Sequence, residues 1–313
     1  MTQPGITDVV LPRKVLDWKE FKRIAPPYSI ALDGIVYGKT CVDARTHHAN
    51  FNHHEEVDRF STHATCGILQ IYIKTGLFDH FRVNGIPTAT LYLNDPDQDS
   101  SLSRWMMYNH ERVKKGEPLL NKLIFAEDIL DVTGGIFPLG LESELMANIA
   151  WIFEPYTASI HNLHHMKDKQ MITVMDAIGS RIDSYLMGRS GRIVPDDRFD
   201  VMHDYGRLFK MVHEIGPYAR TRLYEQGTTF MVSYRGEDPK GTHRYSLAKL
   251  SPFGPEDMEF IFDQLNCLEH INADDKDRWG GGNAYGGSPR LRGSKIDPDR
   301  LCDELAGILK GKK

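Results

Sequence analysis

The segment Asp43-Ala44-Arg45-Thr46-His47-His48-Ala49-Asn50-Phe51-Asn52-His53-His54-Glu55-Glu56-Val57-Asp58 packs imidazoles, carboxylates and carboxamides more densely than solubility requires. Hard or borderline divalent metals want that mixture: imidazole nitrogen beside carboxylate oxygen suits Mn, Fe or Zn, and two close carboxylates can bridge a metal pair. Two further sets of acids stand nearby in the sequence, Asp33 before Gly34, and Asp95-Pro96-Asp97-Gln98-Asp99. A solvated polar loop is the bland alternative, but four histidines in one short segment favour a metal or phosphate site. His54-Glu55-Glu56-Val57-Asp58 lacks the second histidine that a zincin helix places on the same face, so a zinc peptidase is not expected. The Asp95-x-Asp97-x-Asp99 run is not a calcium loop, because Ser100 stands at its turn glycine and Met106 at its bidentate glutamate.

These residues are useful only if the chain's elements hold them together. Val15 to Ile24 reads as a short amphipathic helix, and Tyr28 to Asp33 as a buried strand ending in a carboxylate. The histidine-rich loop, about 43 to 58, then leads to Ser61-Thr62 as a helix cap and an apolar helical run through Ile73. Thr88 to Leu93 is a second strand delivering the Asp95–Asp99 turn to a helix with Leu102, Trp105 and Met106 inward. Helices follow at roughly 119–131, 141–153 and 168–187. The tail changes character: Thr228 to Arg235 and His243 to Leu250 alternate like an antiparallel pair, a helix covers Pro255 to Leu268, and a last helix begins near Pro298. The expectation is an α/β protein: a parallel-sheet N-terminal domain with a helical middle region (1–195), and a smaller α+β C-terminal domain (196–313).

At this point the residues carry a resemblance. Leu93-Asn94-Asp95-Pro96-Asp97-Gln98-Asp99-Ser100-Ser101-Leu102-Ser103 resembles the first motif of the DHH phosphoesterase superfamily, Asn52-His53-His54 its namesake Asp-His-His motif, and Asp33-Gly34 its single strand-end aspartate. The resemblance implies Asp33, His54, Asp97 and Asp99 as metal ligands and His53, His54 and Asp97 as catalytic, with His53 an acid or a phosphate contact. The implied cofactor is a divalent metal, Mn first and Mg or Zn after it, that activates water for attack on a phosphate ester or anhydride. Leu93 stands where the family has a ligand histidine, Asn52 replaces the first aspartate of the namesake motif, and the Asp97/Asp99 motif follows the histidine loop instead of preceding it. His47, His48 or Asp43 are the residues that could make up the missing ligands. Gly280-Gly281-Gly282-Asn283 resembles the glycine loop of the small substrate-binding domain that accompanies many DHH catalytic domains. There Gly281, Gly282 and Asn283, with Arg290 and Arg292, would hold phosphate through backbone N–H groups and guanidinium forks.

The bulk properties are those of an ordinary globular protein. A chain of 313 residues with 41% apolar and 26% charged residues is long enough for two cores. A net charge of -5 argues against a general nucleic-acid or membrane-surface binder. Four cysteines in no CxxC pattern fit a reducing compartment, and we expect a cytoplasmic protein with no membrane span. The functional expectation is a metal-dependent phosphohydrolase acting on a small phosphorylated molecule or short nucleotide in an interdomain cleft; a homodimer stays open. The alternatives are a non-catalytic relative that binds a phosphorylated ligand or a protein partner, and an unrelated metal-dependent amide hydrolase or deaminase.

Overall fold

The computed structural model describes residues 3–311 apart from 250, 252, 255, 256 and 276. It is mixed α/β, with a parallel-rich sheet near the N-terminus, helices in the middle and a sheet-rich C-terminal region, as the sequence led us to expect. Two compact units divide it. The first takes the chain up to Val132 together with Glu142–Val194; the second takes Thr133–Leu141 and everything from Pro195 on. The excursion at 133–141, which no shift in composition or patterning marks off, lends Ile136 to the core of the second unit.

In the first unit the order is β1 (Ile6–Val10), α1 (Trp18–Ile24), β2 (Ser29–Leu32), β3 (Cys41–Asp43), β4 (His48–Phe51), α2 (Thr65–Lys74), α3 (Leu77–His80), β5 (Arg82–Val83), β6 (Ile86–Pro87) and β7 (Ala89–Leu93). Helices then run almost without a break: α4 (Gln98–Tyr108), α5 (His110–Lys115), α6 (Pro118–Val132), α7 (Glu144–Ile152), α8 (Glu154–Thr157), a 3-10 turn at Ile160–His165, and α9 (Asp168–Leu186). The main sheet has strand order β1-β7-β2-β4-β3, the first four parallel and β3 antiparallel to β4. Strands β2 and β4 are buried along their whole length, as central parallel strands covered on both faces must be. Leu102, Trp105 and Met106 of α4 are fully buried, so the expected inner face of that helix is the one that packs.

Part of the expected histidine loop is a strand. His48, Ala49, Asn50 and Phe51 form β4, hidden from a hydrophobicity reading because two of its four side chains are polar. Both are satisfied inside: His48 Nε2 lies 3.1 Å from the Ala25 carbonyl, and Asn50 Nδ2 donates to the Gly38 carbonyl at 3.1 Å. Likewise α2 starts at Thr65 and not at the expected Ser61-Thr62 cap.

The second unit holds β8 (Phe199–Asp204), β9 (Lys210–Glu214), α10 (Ala219–Glu225), β10 (Phe230–Glu237), β11 (His243–Lys249), α11 (Met258–Leu268), β12 (Gly280–Gly281), β13 (Tyr285–Gly287) and α12 (Pro298–Lys310). Its sheet order is β12-β13-β11-β10-β9-β8, antiparallel throughout except for the β9/β10 pair. Met211, Phe230, Val232 and Leu247 pack from one face against Ile261, Leu265, Leu301 and Leu305 of the two long helices. Leu250 and Pro255, the expected end of one strand and start of one helix, lie outside the described residues.

Candidate metal centre

Because β7, β2 and β4 are neighbours and parallel, their carboxyl ends open on one edge of the sheet, where open α/β sheets bind ligands. Strand β2 delivers Asp33, whose N–H donates to the Phe51 carbonyl at 2.9 Å and extends the ladder one residue past the strand. Asp33 has φ +51°, a left-handed conformation that aspartate tolerates better than most residues. Gly34 follows with φ +78°, and a Cβ there would sit 2.9 Å from the His54 ring, so glycine is what lets that ring lie against the Asp33 turn. Strand β4 leads straight into Asn52-His53-His54. The Asn52 carboxamide donates to the carbonyls of Val36 (3.3 Å) and Gly38 (2.9 Å), and its oxygen accepts the His54 N–H at 3.1 Å. A carboxylate cannot donate, so the asparagine shapes this turn in a way that an aspartate would not. The result is that His53 points inward, fully buried, while His54 is exposed.

Strand β7 leads to the acids that begin α4. Asp97 is the N-cap of α4, accepting the Ser100 N–H at 2.8 Å. Asp99, in the first turn, is buried and accepts the N–H groups of Thr65 and Cys66, each at 2.7 Å. Helix α2 has no side-chain cap of its own; Asp99 and Asp128, which takes the Ala64 N–H at 2.6 Å, supply the missing acceptors from outside. Asp99 thus sits where two helix N-termini meet, a favourable place for negative charge.

At the centre is His53. Its Nε2 lies 2.9 Å from Asp131 Oδ2, 3.4 Å from Asp33 Oδ1 and 3.7 Å from Asp99 Oδ2. Yet the approach is poorly aligned, and neither this buried nitrogen nor Asp131 Oδ2 makes a well-aligned hydrogen bond among the described residues. Asp33, His53 and His54 form one set of ligand-type atoms, and His53, Asp99 and Asp131 another, each set within 4.8 Å. These buried Asp and His groups could hold a metal ion. The orphaned imidazole nitrogen among carboxylate oxygens is what such an ion would satisfy. The other Asp33 oxygen accepts the Ser100 hydroxyl at 2.8 Å, which fixes the carboxylate in place. His54 is poised differently. Its Nε2 is 2.8 Å from Asp33 Oδ1, and its Nδ1 is 2.8 Å from a guanidinium nitrogen of Arg59. An arginine only donates, so the His54 proton is on Nε2 and points at Asp33; ligation through Nε2 requires Arg59 to turn away.

The charges are strongly coupled. Burial alone would raise Asp33, but the neighbouring His53 and His54 outweigh it and hold this carboxyl well below its usual range. Burial opposes the charged form of His53, and contact with Asp131 and Asp33 overcomes that, lifting it to about 10. Burial together with the charges of Asp33 and Asp131 pushes Asp99 up to about 7. The same causes, burial first, then Asp33 and Asp95, push Asp97 well above the ordinary value, and Glu127 is raised by burial and by Asp131 and Asp99. So much buried acid beside one imidazole is costly without a cation.

Of the residues singled out from sequence, Asp33, His53, His54 and Asp99 come together. Asp97 is close enough to feel Asp33 and Asp131, but one of its oxygens caps α4, and it is in neither ligand set. Asp131 was missed. Glu127, Asp128 and Asp131 put three acids within about one turn of a mostly apolar helix, and that clustering was the available signal. Asp43, His47 and His48 do not make up for missing ligands: Asp43 pairs with Lys22, His47 stacks on Tyr28 at 4.4 Å, and His48 meets Ala25.

In the second unit, the glycine-rich segment is a tight hairpin, with Gly282 N–H donating to the Tyr285 carbonyl at 2.8 Å. A Cβ at Gly286 would fall 2.3 Å from Phe262, and one at Gly281 would fall 2.3 Å from the Gly286 backbone, so close packing accounts for these glycines. Gly281, Gly282 and Asn283 are exposed. The Arg292 guanidinium is engaged by Asp275 and Asp277, and Arg290 is exposed with its carbonyl accepting from Arg244. Among the described residues no helix is long and apolar enough to cross a membrane. Comparison with protein-family models and with curated protein sequences finds no match for this chain.

Proposed function

We propose that the first unit is a divalent-metal-dependent phosphohydrolase of the DHH type, acting on a small phosphorylated molecule or short nucleotide. One observation carries the reading: a fully buried imidazole nitrogen that makes no well-aligned hydrogen bond among the described residues and faces Asp131, Asp33 and Asp99. The likeness of Asn52-His53-His54, Asp33-Gly34 and the Asp97/Asp99 turn to the DHH motifs supports it. When bound, a divalent cation, Mn first among the candidates, would lower the pKa of a water and neutralise phosphoryl charge. His53, Asp33, Asp99 and Asp131 would hold that cation, with His54 joining once Arg59 swings off. Arg59, between the two histidines, would then be free to meet a phosphoryl oxygen.

The test is paired. Added Mn should raise the thermal stability of the purified protein, as any ligand of the folded state does, and should stimulate release of phosphate or alcohol from simple phosphate esters. Asp99→Ala should lose both responses. Full Mn-stimulated hydrolysis in that variant would refute the assignment. A second reading, a non-catalytic protein that binds a phosphorylated ligand, is favoured by Leu93, a fully buried strand residue at a family ligand position, and by Asn52 as a turn-forming amide. Mn stabilisation without turnover of any ester would select it.

A further inference from the structure

Beside the centre stands a second imidazole held by a carboxylate. His63 Nδ1 lies 2.7 Å from Asp128 Oδ2, and the other oxygen of Asp128 accepts the Ala64 N–H at 2.6 Å. The carboxylate is seated closely against α2: a Cβ at Gly67 would be 2.6–2.8 Å from all three of its atoms, so the helix has a glycine where Asp128 needs room. Being an acceptor only, Asp128 fixes the proton of His63 on Nδ1 and leaves Nε2 outward, on a side chain 56% exposed. Both residues border the centre. Asp128 is one turn before Asp131 on α6, about 5–6 Å between Cβ atoms at that spacing. His63 is two residues before Thr65, whose N–H holds Asp99 at 2.7 Å.

We infer that His63, oriented by Asp128, is the general acid that protonates the leaving-group oxygen during phosphate-ester cleavage at the neighbouring centre. This rests on the phosphohydrolase reading. In the step, a water oxygen forms the new bond to phosphorus and the ester P–O bond breaks, its electron pair going to the leaving oxygen. The Nε2 proton of the His63 imidazolium moves to that oxygen, releasing the alcohol. The attacking water gives up one proton to solvent, and the neutral imidazole takes one back from solvent, so the cycle closes. Asp128 holds the ring and keeps Nε2 aimed outward, the orienting part that a carboxylate plays behind a catalytic histidine.

The experiment measures Mn-supported hydrolysis of a series of aryl phosphates, from 4-nitrophenyl to unsubstituted phenyl phosphate, by the wild type and by His63→Asn. Removing the acid should leave the 4-nitrophenyl ester within about tenfold of wild type and slow the phenyl ester by on the order of 10²–10³-fold, with added imidazole restoring part of the loss. The Mn-induced rise in melting temperature should be unchanged, because the Ala64 N–H still holds Asp128 when the ring is gone. Equal loss across the series, or a lost Mn shift, would overturn the inference and leave hydrolysis itself standing. A wild type that cleaves none of the esters overturns the phosphohydrolase reading, and the inference with it.

Discussion

Asp99 is a carboxylate whose structural use and whose proposed metal binding carry opposite costs. Ionised, it satisfies two N–H groups at the start of α2, but it is buried beside Asp33 and Asp131, which push it up to about 7. Against an unfolded value near 4, that shift makes the ionised form cost the metal-free protein on the order of 4 kcal/mol at pH 8. Asp99→Asn removes the charge and keeps one acceptor, leaving one N–H short of a partner at about 1–3 kcal/mol. Relief of the buried charge outweighs that loss, so in chelator at pH 8 the variant should be more stable than wild type by about 1 kcal/mol or more, measured by urea unfolding. With Mn the order should reverse, because the variant has lost a ligand. A variant less stable than wild type in chelator would mean that Asp99 is there for the helix alone. Asp33, His53, His54 and Asp99 were legible as chemistry because their types cluster at strand ends. Asp131 was not, since acids on a helix, even clustered as Glu127, Asp128 and Asp131 are, look like its solvated face until the helix is packed. Asn52 looked like a lost ligand, and only its bonds to Val36 and Gly38 explain it.

At the level of elements, α2 is a helix whose start is completed by other parts of the chain. With Ala64 as N-cap it has no side-chain acceptor for its first N–H groups, and it depends on Asp99 from α4 and Asp128 from α6. Gly67→Ala tests this directly. By intrinsic propensity alanine should stabilise a helix by about 1 kcal/mol over glycine. Here the new Cβ would fall within 2.6–2.8 Å of the Asp128 carboxylate. Overpacking of that kind costs about 1–3 kcal/mol and dislodges an acceptor besides, so the variant should unfold at lower urea than wild type. A gain in stability would show that the Asp128 seat is loose. The same dependence explains what the sequence could and could not reveal. Helices α4, α6 and α9 were legible from apolar periodicity, and β2 and β7 from apolar runs bounded by turns. The start of α2 was misplaced because its caps come from residues some 30 and 60 positions away. Strand β4 was hidden because His48 and Asn50 find partners only in the folded chain, and the 280–287 glycines looked like a flexible cradle because sequence does not show Phe262 lying against them.

For the whole molecule, protons and a bound metal would compete for one cluster. His53 is held up to about 10, so its Nε2 must lose a proton before it can bind a cation near neutral pH. Asp99, at about 7, must lose another below that pH. Without metal, both shifts bear on stability with the same sign. A raised histidine contributes stability that is complete below its unfolded value, near 6.5, and is lost as pH rises through about 10; a raised carboxyl makes stability fall as pH climbs from about 4 to about 7. The metal-free protein should therefore weaken steadily on the alkaline side, while Asp33, held low by the two histidines, protects it on the acid side down to its depressed value. Metal uptake should run the other way. The apparent affinity for Mn should rise about 100-fold per pH unit below about 7, where two protons leave, and about tenfold per unit above it, where His53 alone gives one up. Calorimetric titration at pH 5.5 to 8.5 in buffers of different ionisation heat counts the protons directly, expected to fall from about two towards one. An affinity indifferent to pH over this range would mean that the buried nitrogen of His53 never meets the metal, since no nitrogen that carries a proton can also hold a cation through the same lone pair.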